Sequence, residues 1–345
     1  MHKGRNSATK RVEARDFGDE SVLDLVVTEL DLGPGQVRVE LWAVGVNPAD
    51  TYVRAGGYEF LKLDPPFGLG FDASGVILET GPEVTEFREG DRVWVSLLLT
   101  RSIGTYAEEL VCNVAAVRPL PSQLSFRQGS ALGLPYVTAY RALFQRGGAV
   151  AGETVLVHGA SGGVGIAAVQ LAVATGLNVI GTASTQRGRD IILDCGAGHV
   201  LDHDSDDYMT RLRDISPRGV DLIIEMRADR NLAADVSVLA PRGRVVIVGS
   251  RGEIPFQPRG LMVAEADVRG MAIWNMTGAE LTEATDFIVE KSFSGEIVPR
   301  TGAEFPLTDV AEAHRSISAG TAGGRVVLLP RSSGRAGCVH RSGAV

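Results

Sequence analysis

The chain has only three cysteines in 345 residues, Cys112, Cys195 and Cys338, widely separated. Three cysteines cannot build a four-cysteine zinc lobe, and no Cys-x₂-Cys pair is present. An odd, scattered set suits a reducing compartment rather than a disulfide framework. A basic excess is also missing: 34 Lys and Arg stand against 42 Asp and Glu, a net charge of -8. With no basic stripe either, nucleic acid is not an expected partner. No apolar run reaches the roughly 18 residues of a membrane span. The N-terminal Met1-His2-Lys3-Gly4-Arg5-Asn6-Ser7 has no apolar stretch behind it, so it does not read as a secretory signal. Together these absences predict a cytoplasmic protein without membrane or nucleic-acid partners.

Glycine, by contrast, is abundant, with 42 residues against a usual share of roughly 7%. Proline contributes only 15 residues and no Gly-X-Y period occurs, which excludes a collagen-like chain or a linker. At roughly 150 residues per domain, the length predicts two domains.

Up to about residue 120 the chain reads as short strands. Val37 to Trp42 alternates apolar and polar residues, and Ser74 to Glu79, Asp91 to Val95 and Tyr106 to Cys112 are similar. Turns at Gly33-Pro34-Gly35, Gly81-Pro82 and Glu89-Gly90 separate them, the pattern of a small antiparallel barrel or sandwich. Beyond residue 130 the pattern changes to alternating strands and helices. Thr154 to Val157, Asn178 to Thr182, Val220 to Ile224 and Arg244 to Val248 are strand candidates, and Val164 to Thr175 is an alanine-rich helix. Such alternation predicts βαβ units and a parallel sheet. Residues 279–291 and 308–318 read as helices, and Arg325 to Leu329 as a closing strand. The strand at Arg244 to Val248 is a candidate sheet edge that would pair across a two-fold axis in a homodimer or homotetramer. Residues 1–9 and the polar stretch 331–345 are expected to be frayed or disordered.

The most informative segment is His158-Gly159-Ala160-Ser161-Gly162-Gly163-Val164-Gly165, between a buried strand and a helix. Unpaired amides at a helix start can bind a pyrophosphate, and glycines remove the Cβ atoms that would block it. A site preferring NADH carries an acid about 20 residues later, on the ribose 2′-hydroxyl. Here that region reads Gly181-Thr182-Ala183-Ser184-Thr185-Gln186-Arg187, without an acid. Ser184 is small, and Arg187 can pair with a 2′-phosphate, so NADPH is the expected cofactor. The run His199-Val200-Leu201-Asp202-His203-Asp204 is the one close His–Asp cluster. It is read as a loop or a contact to the adenine end rather than a zinc site. The sulfurs of Met226, Met262 and Met271 read as core or pocket filler.

Several motifs in fixed order carry a family resemblance. They are Gly45-Val46-Asn47-Pro48-Ala49-Asp50-Thr51-Tyr52, Gly90-Asp91-Arg92-Val93, Tyr106-Ala107-Glu108, Leu134-Pro135-Tyr136-Val137-Thr138-Ala139-Tyr140, the glycine turn, Ile224-Glu225-Met226 with Asn231, and Val248-Gly249-Ser250-Arg251-Gly252. From about residue 16 to 330 the chain resembles the medium-chain dehydrogenase/reductase superfamily, in particular its zinc-independent quinone oxidoreductases of the zeta-crystallin type. The resemblance implies a doubly wound parallel-sheet (Rossmann) cofactor domain at 131–270. An irregular, mainly antiparallel GroES-like catalytic domain would span 1–130 and 271–330.

Zinc-dependent relatives have a cysteine where Asn47 stands, a His-Glu pair where Phe71-Asp72 stands and a cysteine near Leu134, so the resemblance implies no zinc. It assigns the pyrophosphate to Ser161, Gly162, Gly163 and Val164. Ser184 and His203 lie toward the adenosine ribose and its phosphate, while Arg187, placed at the 2′-phosphate by the residue pattern alone, reads alternatively with Arg189 as the coat of a solvated helix. Asn231, Val248, Gly249, Ser250 and Arg251 follow the cofactor, and Met271, Ala272 and Ile273 line its nicotinamide side. Thr138, read with Tyr136 and Tyr140 as domain-junction packing and alternatively as reaching the cofactor, and Arg325, with a link to the 2′-phosphate, are further cofactor candidates. Asn47, Tyr52 and Tyr58 are the catalytic candidates, with Tyr52 also reaching the cofactor. Asn47 reads alternatively as a turn residue before Pro48, Tyr52 as interdomain packing and Tyr58 as a surface aromatic. Asp72 is read as structural.

The implied activity is NADPH-dependent reduction of small quinones. The alternatives are a reductase of enones or alkenals (α,β-unsaturated carbonyls) and a non-enzymatic NADPH-binding sensor or structural protein. A reductase of carrier-bound enoyl thioesters would want a basic docking face, which the acidic chain lacks.

Overall fold

The computed structural model describes residues 7–58, 61–320 and 324–331. Eight strands come first: β1 (Ser7–Ala14), β2 (Leu23–Leu30), β3 (Gln36–Val46), β4 (Phe67–Gly68), β5 (Asp72–Thr80), β6 (Arg92–Ser96), β7 (Glu109–Asn113) and β8 (Val117–Pro119). Then follow β9 (Thr154–Val157), β10 (Asn178–Thr182), β11 (His199–Leu201), β12 (Val220–Glu225), β13 (Leu239–Ile247) and β14 (Asp267–Gly270), with β15 (Thr301–Pro306) and β16 (Arg325–Leu329) last. The helices are α1 (Pro48–Arg54), α2 (Phe126–Gly129), α3 (Leu134–Tyr140), α4 (Gly163–Ala174), α5 (Gln186–Asp194), α6 (Tyr208–Ile215), α7 (Ala228–Asp235), α8 (Arg259–Ala264), α9 (Gly278–Ser294) and α10 (Val310–Ala319).

Strands β9 to β14 form one parallel sheet in the order β11-β10-β9-β12-β13-β14. From β9 the chain winds outward one way through β10 and β11, then the other way from β12. The switch point between β9 and β12 opens a crevice at the strands' carboxyl ends. Helices cover the sheet, so its central strands are apolar runs: Val155, Leu156 and Val157 are fully buried, as are Leu222, Ile223 and Ile224. Helix α4 lies between this sheet and α3 and is buried from Gly165 to Ala172.

The second large sheet runs β15-β16-β3-β5-β6-β8, with β7 also on β3, and is antiparallel apart from the β15–β16 pair. A small sheet of β2, β1 and β4 flanks it. The architecture is therefore the expected Rossmann sheet joined to an antiparallel-rich, GroES-like β unit.

Several expectations need correction. The strand around Arg244 to Val248 is not an edge: β13 pairs with β12 on one side and β14 on the other. The edge is β14, only four residues long with two of them exposed, which leaves little hydrophobic pattern to read. His199–Leu201, read as a loop, is the opposite edge strand. Tyr106 precedes its strand, which begins at Glu109. Residues 7–9 belong to β1 rather than a frayed end. Arg331 forms ion pairs with Glu40 and Glu109, while 332–345 lie outside the described residues. Met262 is an exposed residue of α8, not core filler.

Candidate active site

The glycine turn sits at the carboxyl end of β9, against the crevice, and its glycines do two different jobs. Gly159 has φ of +56°, the left-handed region that favours glycine. A Cβ on Gly165 would lie 2.4 Å from the Gly159 carbonyl oxygen, so this glycine allows α4 to pack on the strand end. At Gly162 and Gly163 a Cβ would meet nothing nearer than 3.4 and 3.9 Å. Packing does not demand glycine at these two positions; the space they leave lies at the start of α4. The first backbone bond closing the helix is Ile166 N–H to the Gly162 oxygen, so the amides before it have no partner within the helix. An open cradle with aligned amides fits a pyrophosphate.

At the end of β10, Thr182 Oγ accepts from the Gly159 amide at 3.3 Å and lies 3.3 Å from His203 Nδ1, which brings His203 to the turn. Thr185 caps α5 by accepting from the Gly188 amide at 3.1 Å. Arg189 is tied to Asp202 at 2.7 Å and to the Ala183 and Ser184 carbonyls. Ser184 and Arg187 are exposed, and Arg187 pairs with no acid among the described residues. The strand end thus offers a free guanidinium and no carboxylate for a ribose 2′-hydroxyl.

The ends of β12 and β13 complete the wall. Val248 and Gly249 donate to the Glu225 main-chain oxygen, and Asn231 Nδ2 donates to Glu225 Oε1 at 3.2 Å. Ser250 Oγ donates to the Gly252 carbonyl at 3.1 Å, and the Arg251 amide donates to Asp229 at 3.0 Å. Met271 N–H continues from β14 to the Ile247 carbonyl, Ala272 is exposed and Ile273 is buried. Thr138 is buried on α3.

Facing this wall, α1 carries Tyr52, 40% exposed, its ring 6.0 Å from Tyr58. Tyr58 stands edge-on to Trp274 at 5.6 Å, and Trp274 lies 5.2 Å from Phe71. Trp274 was not singled out from sequence, since one tryptophan in a three-residue turn carries no pattern. Asn47 is the N-cap of α1 and buried. Its Nδ2 donates to Asp72 Oδ2 at 3.0 Å, and its Oδ1 accepts from Arg325 Nη1. Arg325 Nη2 lies 2.7 Å from Asp72 Oδ2, while Ser96 Oγ and the Leu134 amide donate to Oδ1 at 3.1 and 2.8 Å. Both polar atoms of the Asn47 amide are therefore engaged, and Asp72 is structural. Arg325 is buried with its guanidinium committed here, which removes it from the 2′-phosphate; its Cδ lies 3.9 Å from a Cβ built on Gly163, beside the start of α4.

Zinc does not fit this cluster. Asn47, Phe71 and Leu134 supply no thiolate or imidazole, the one carboxylate has four donors, and a cation, Arg325, already sits against it.

A second buried network escaped the sequence reading. Asp50 Oδ2 accepts from the Asn47 amide at 2.7 Å and from the Tyr106 hydroxyl at 2.8 Å. That hydroxyl lies 3.1 Å from His314 Nε2, and His314 Nδ1 lies 2.9 Å from Arg54, which pairs with Glu20 at 2.7 Å. Burial pushes the Asp50 carboxyl up to about 7, and burial with the Arg54 charge pushes His314 down to about 3. Neutral His314 therefore accepts a hydrogen bond from Arg54 at Nδ1. His314 lies more than 200 residues from its partner Tyr106, so no local motif announced it.

Comparison with known proteins adds family evidence. Residues 33–122 match the alcohol dehydrogenase GroES-like domain and residues 163–290 the zinc-binding dehydrogenase domain. Human quinone oxidoreductase is 42% identical, over 85% of this chain and 89% of its own. The mouse quinone oxidoreductase is 39% identical over 93% and 97%. The crystal structure of Escherichia coli quinone oxidoreductase complexed with NADPH is similar with a TM-score of 0.80 and 29% identity, covering 93% of this chain and all of that one.

Proposed function

The chain belongs to the quinone oxidoreductases of the medium-chain dehydrogenase/reductase superfamily, and from that membership we propose that it is an NADPH-dependent, zinc-independent reductase of small quinones. The observation that carries the cofactor choice is the end of β10, where Arg187 is exposed and the stretch from Gly181 to Arg187 holds no acid. The crystal structure of the Escherichia coli relative with NADPH supports the same choice. In this reading residues 131–270 hold the cofactor, residues 1–130 with 271–330 supply the substrate side, and the protein works in the cytoplasm.

Bound NADPH supplies the reducing equivalents. The chain's own part is positioning and electrostatics. Amides at the start of α4 hold the pyrophosphate, and Arg187 takes the 2′-phosphate. Tyr52 presents its hydroxyl in the cleft as a donor for the oxygen that gains negative charge. Asn47 acts as a positioning residue, since Asp72 and Arg325 hold its amide. Arg325 places fixed positive charge beside α4 where zinc relatives carry a metal. Quinones suit such a site because they are strong electrophiles and need no Lewis acid.

A homodimer formed at the β14 edge, beside the exposed Met262 and Val263 of α8, completes the reading. Sedimentation of a monomer at micromolar concentration would remove it. The central test measures NADPH oxidation with small quinones and with α,β-unsaturated carbonyls, NADPH and NADH affinities side by side, and metal content. Tighter NADH binding or an activity requirement for stoichiometric zinc would overturn the proposal. Turnover of enones without quinones would move the activity to an enone reductase.

A further inference from the structure

A trio of buried ionisable side chains lies beneath the strand ends. His158 follows β9, Glu225 ends β12 and Asp235 ends α7, and they are 4%, 0% and 3% exposed. His158 Nε2 is 2.8 Å from Asp235 Oδ1 and 3.5 Å from Glu225 Oε2. Glu225 is the hub of the cofactor wall. Its Oε1 accepts from the Arg227 amide and Asn231 Nδ2, and its main-chain oxygen accepts from the Val248 and Gly249 amides at 2.8 and 3.2 Å.

Two oxygens of the trio have no donor when both acids are ionised: Glu225 Oε2 and Asp235 Oδ2 are buried and unpartnered. Leaving two carboxylate oxygens bare in one buried cluster, where one oxygen of each acid lies within 4.8 Å of the other, is costly. One shared proton removes the problem, with the Glu225 carboxyl donating to Asp235. The His158 ring, kept neutral because burial lowers its pKa, then donates from Nε2 to the other Asp235 oxygen.

We propose that the proton shared by Glu225 and Asp235 positions the cofactor wall, holding Asn231 and the Val248–Gly249 segment in register, so that its loss weakens NADPH binding. The proposal rests on the NADPH reading above. Burial holds this proton to about 7. The other groups facing the pair cannot replace it. Tyr208, at the start of α6, stays neutral because burial and the two acids raise its phenol. The Arg227 guanidinium is turned away to Asp229 at 2.8 Å. Without the proton, two negative charges repel in the floor below an anionic ligand.

The test is the NADPH dissociation constant, read by nicotinamide fluorescence from pH 6 to 9, for the parent, Glu225→Gln and Asp235→Asn. One linked proton makes the parent constant rise by up to about tenfold per pH unit above 7. In Glu225→Gln the amide donates where the acid proton did, so binding stays tight to pH 9 and the slope disappears. Titration of the cofactor's own 2′-phosphate, near about 6, appears in every protein and cancels in the variant-to-parent ratio. Proton uptake on NADPH binding, measured by calorimetry in two buffers at pH 8, tests the parent without any variant; about one proton is expected. A flat parent profile, equal slopes in parent and Glu225→Gln, or no proton uptake overturns the proposal. So does a slope lost on chelator treatment, which would assign the bare oxygens to a cation. A parent that binds no NADPH at any pH instead overturns the cofactor reading.

Discussion

Asp50 sits on α1 with no solvent exposure, one oxygen holding two donors and the other, Oδ1, holding none. Burial raises its carboxyl from 3.8 to about 7. A raised carboxyl binds its proton more tightly folded than unfolded. Its contribution to stability is fully present below about pH 4 and is lost as pH rises to about 7. At about 1.4 kcal/mol per pKa unit, the loss is about 4 kcal/mol. Asp50→Asn removes the charge and keeps the shape: the amide oxygen takes the Asn47 and Tyr106 donors, and the amide nitrogen stands where the bare oxygen was. The variant should match the parent within about 1 kcal/mol near pH 4.5, the worth of one hydrogen bond. It should exceed the parent by about 3 kcal/mol at pH 8. Urea unfolding of both proteins at pH 4.5, 6, 7 and 8, with unchanged m-values, reads this directly. Other buried acids titrate in both proteins and drop out of the difference. A parent-to-variant difference that stays constant from pH 4.5 to 8 would refute the reasoning.

Four further outcomes follow from the site. Gly163→Ala should leave urea stability within about 0.5 kcal/mol and weaken NADPH at least about tenfold, because its Cβ meets no protein atom nearer than 3.9 Å but enters the cradle. Gly165→Ala should destabilise by about 2 kcal/mol or more, since its Cβ would lie 2.4 Å from a carbonyl oxygen. Arg187→Glu should weaken NADPH and spare NADH in side-by-side fluorescence titrations; an equal loss for both would deny it the 2′-phosphate. Arg325→Met should cost about 3–5 kcal/mol by stranding the Asp72 charge, and adding Asp72→Asn should recover most of it in a double-mutant cycle; strictly additive losses would mean the pair is not coupled.

The sequence was most legible where a local pattern and a buried environment coincide. Asn178–Thr182 and Arg325–Leu329 are strands at the residues read for them, because both are apolar runs inside sheets. The turn before α4 was legible because strand, glycines and helix are contiguous. The edge strands β11 and β14 were not, since three or four residues with exposed positions offer no period to detect. The ionic centres were the least legible. Arg325 was noticed as a basic residue, yet its partners Asp72 and Asn47 lie about 250 residues or more upstream. Glu225 and Asp235 look like ordinary surface acids until β9, β12 and α7 enclose them. A charge in a sequence reads as solvated by default, and only tertiary contact reveals its burial.

The placement of β16 against β3 has a consequence for how the protein is made. The chain leaves the antiparallel sheet after Pro119 and returns only at Thr301, whereas the parallel sheet is complete by Gly270. On the ribosome the later-encoded cofactor sheet can therefore finish before the earlier one. Meanwhile β3 waits with its Val44–Val46 edge unpaired, an apolar template for any passing strand. Nascent chains stalled before residue 325 should be the aggregation-prone species, and release of the last strand both seals that edge and delivers Arg325 to Asp72.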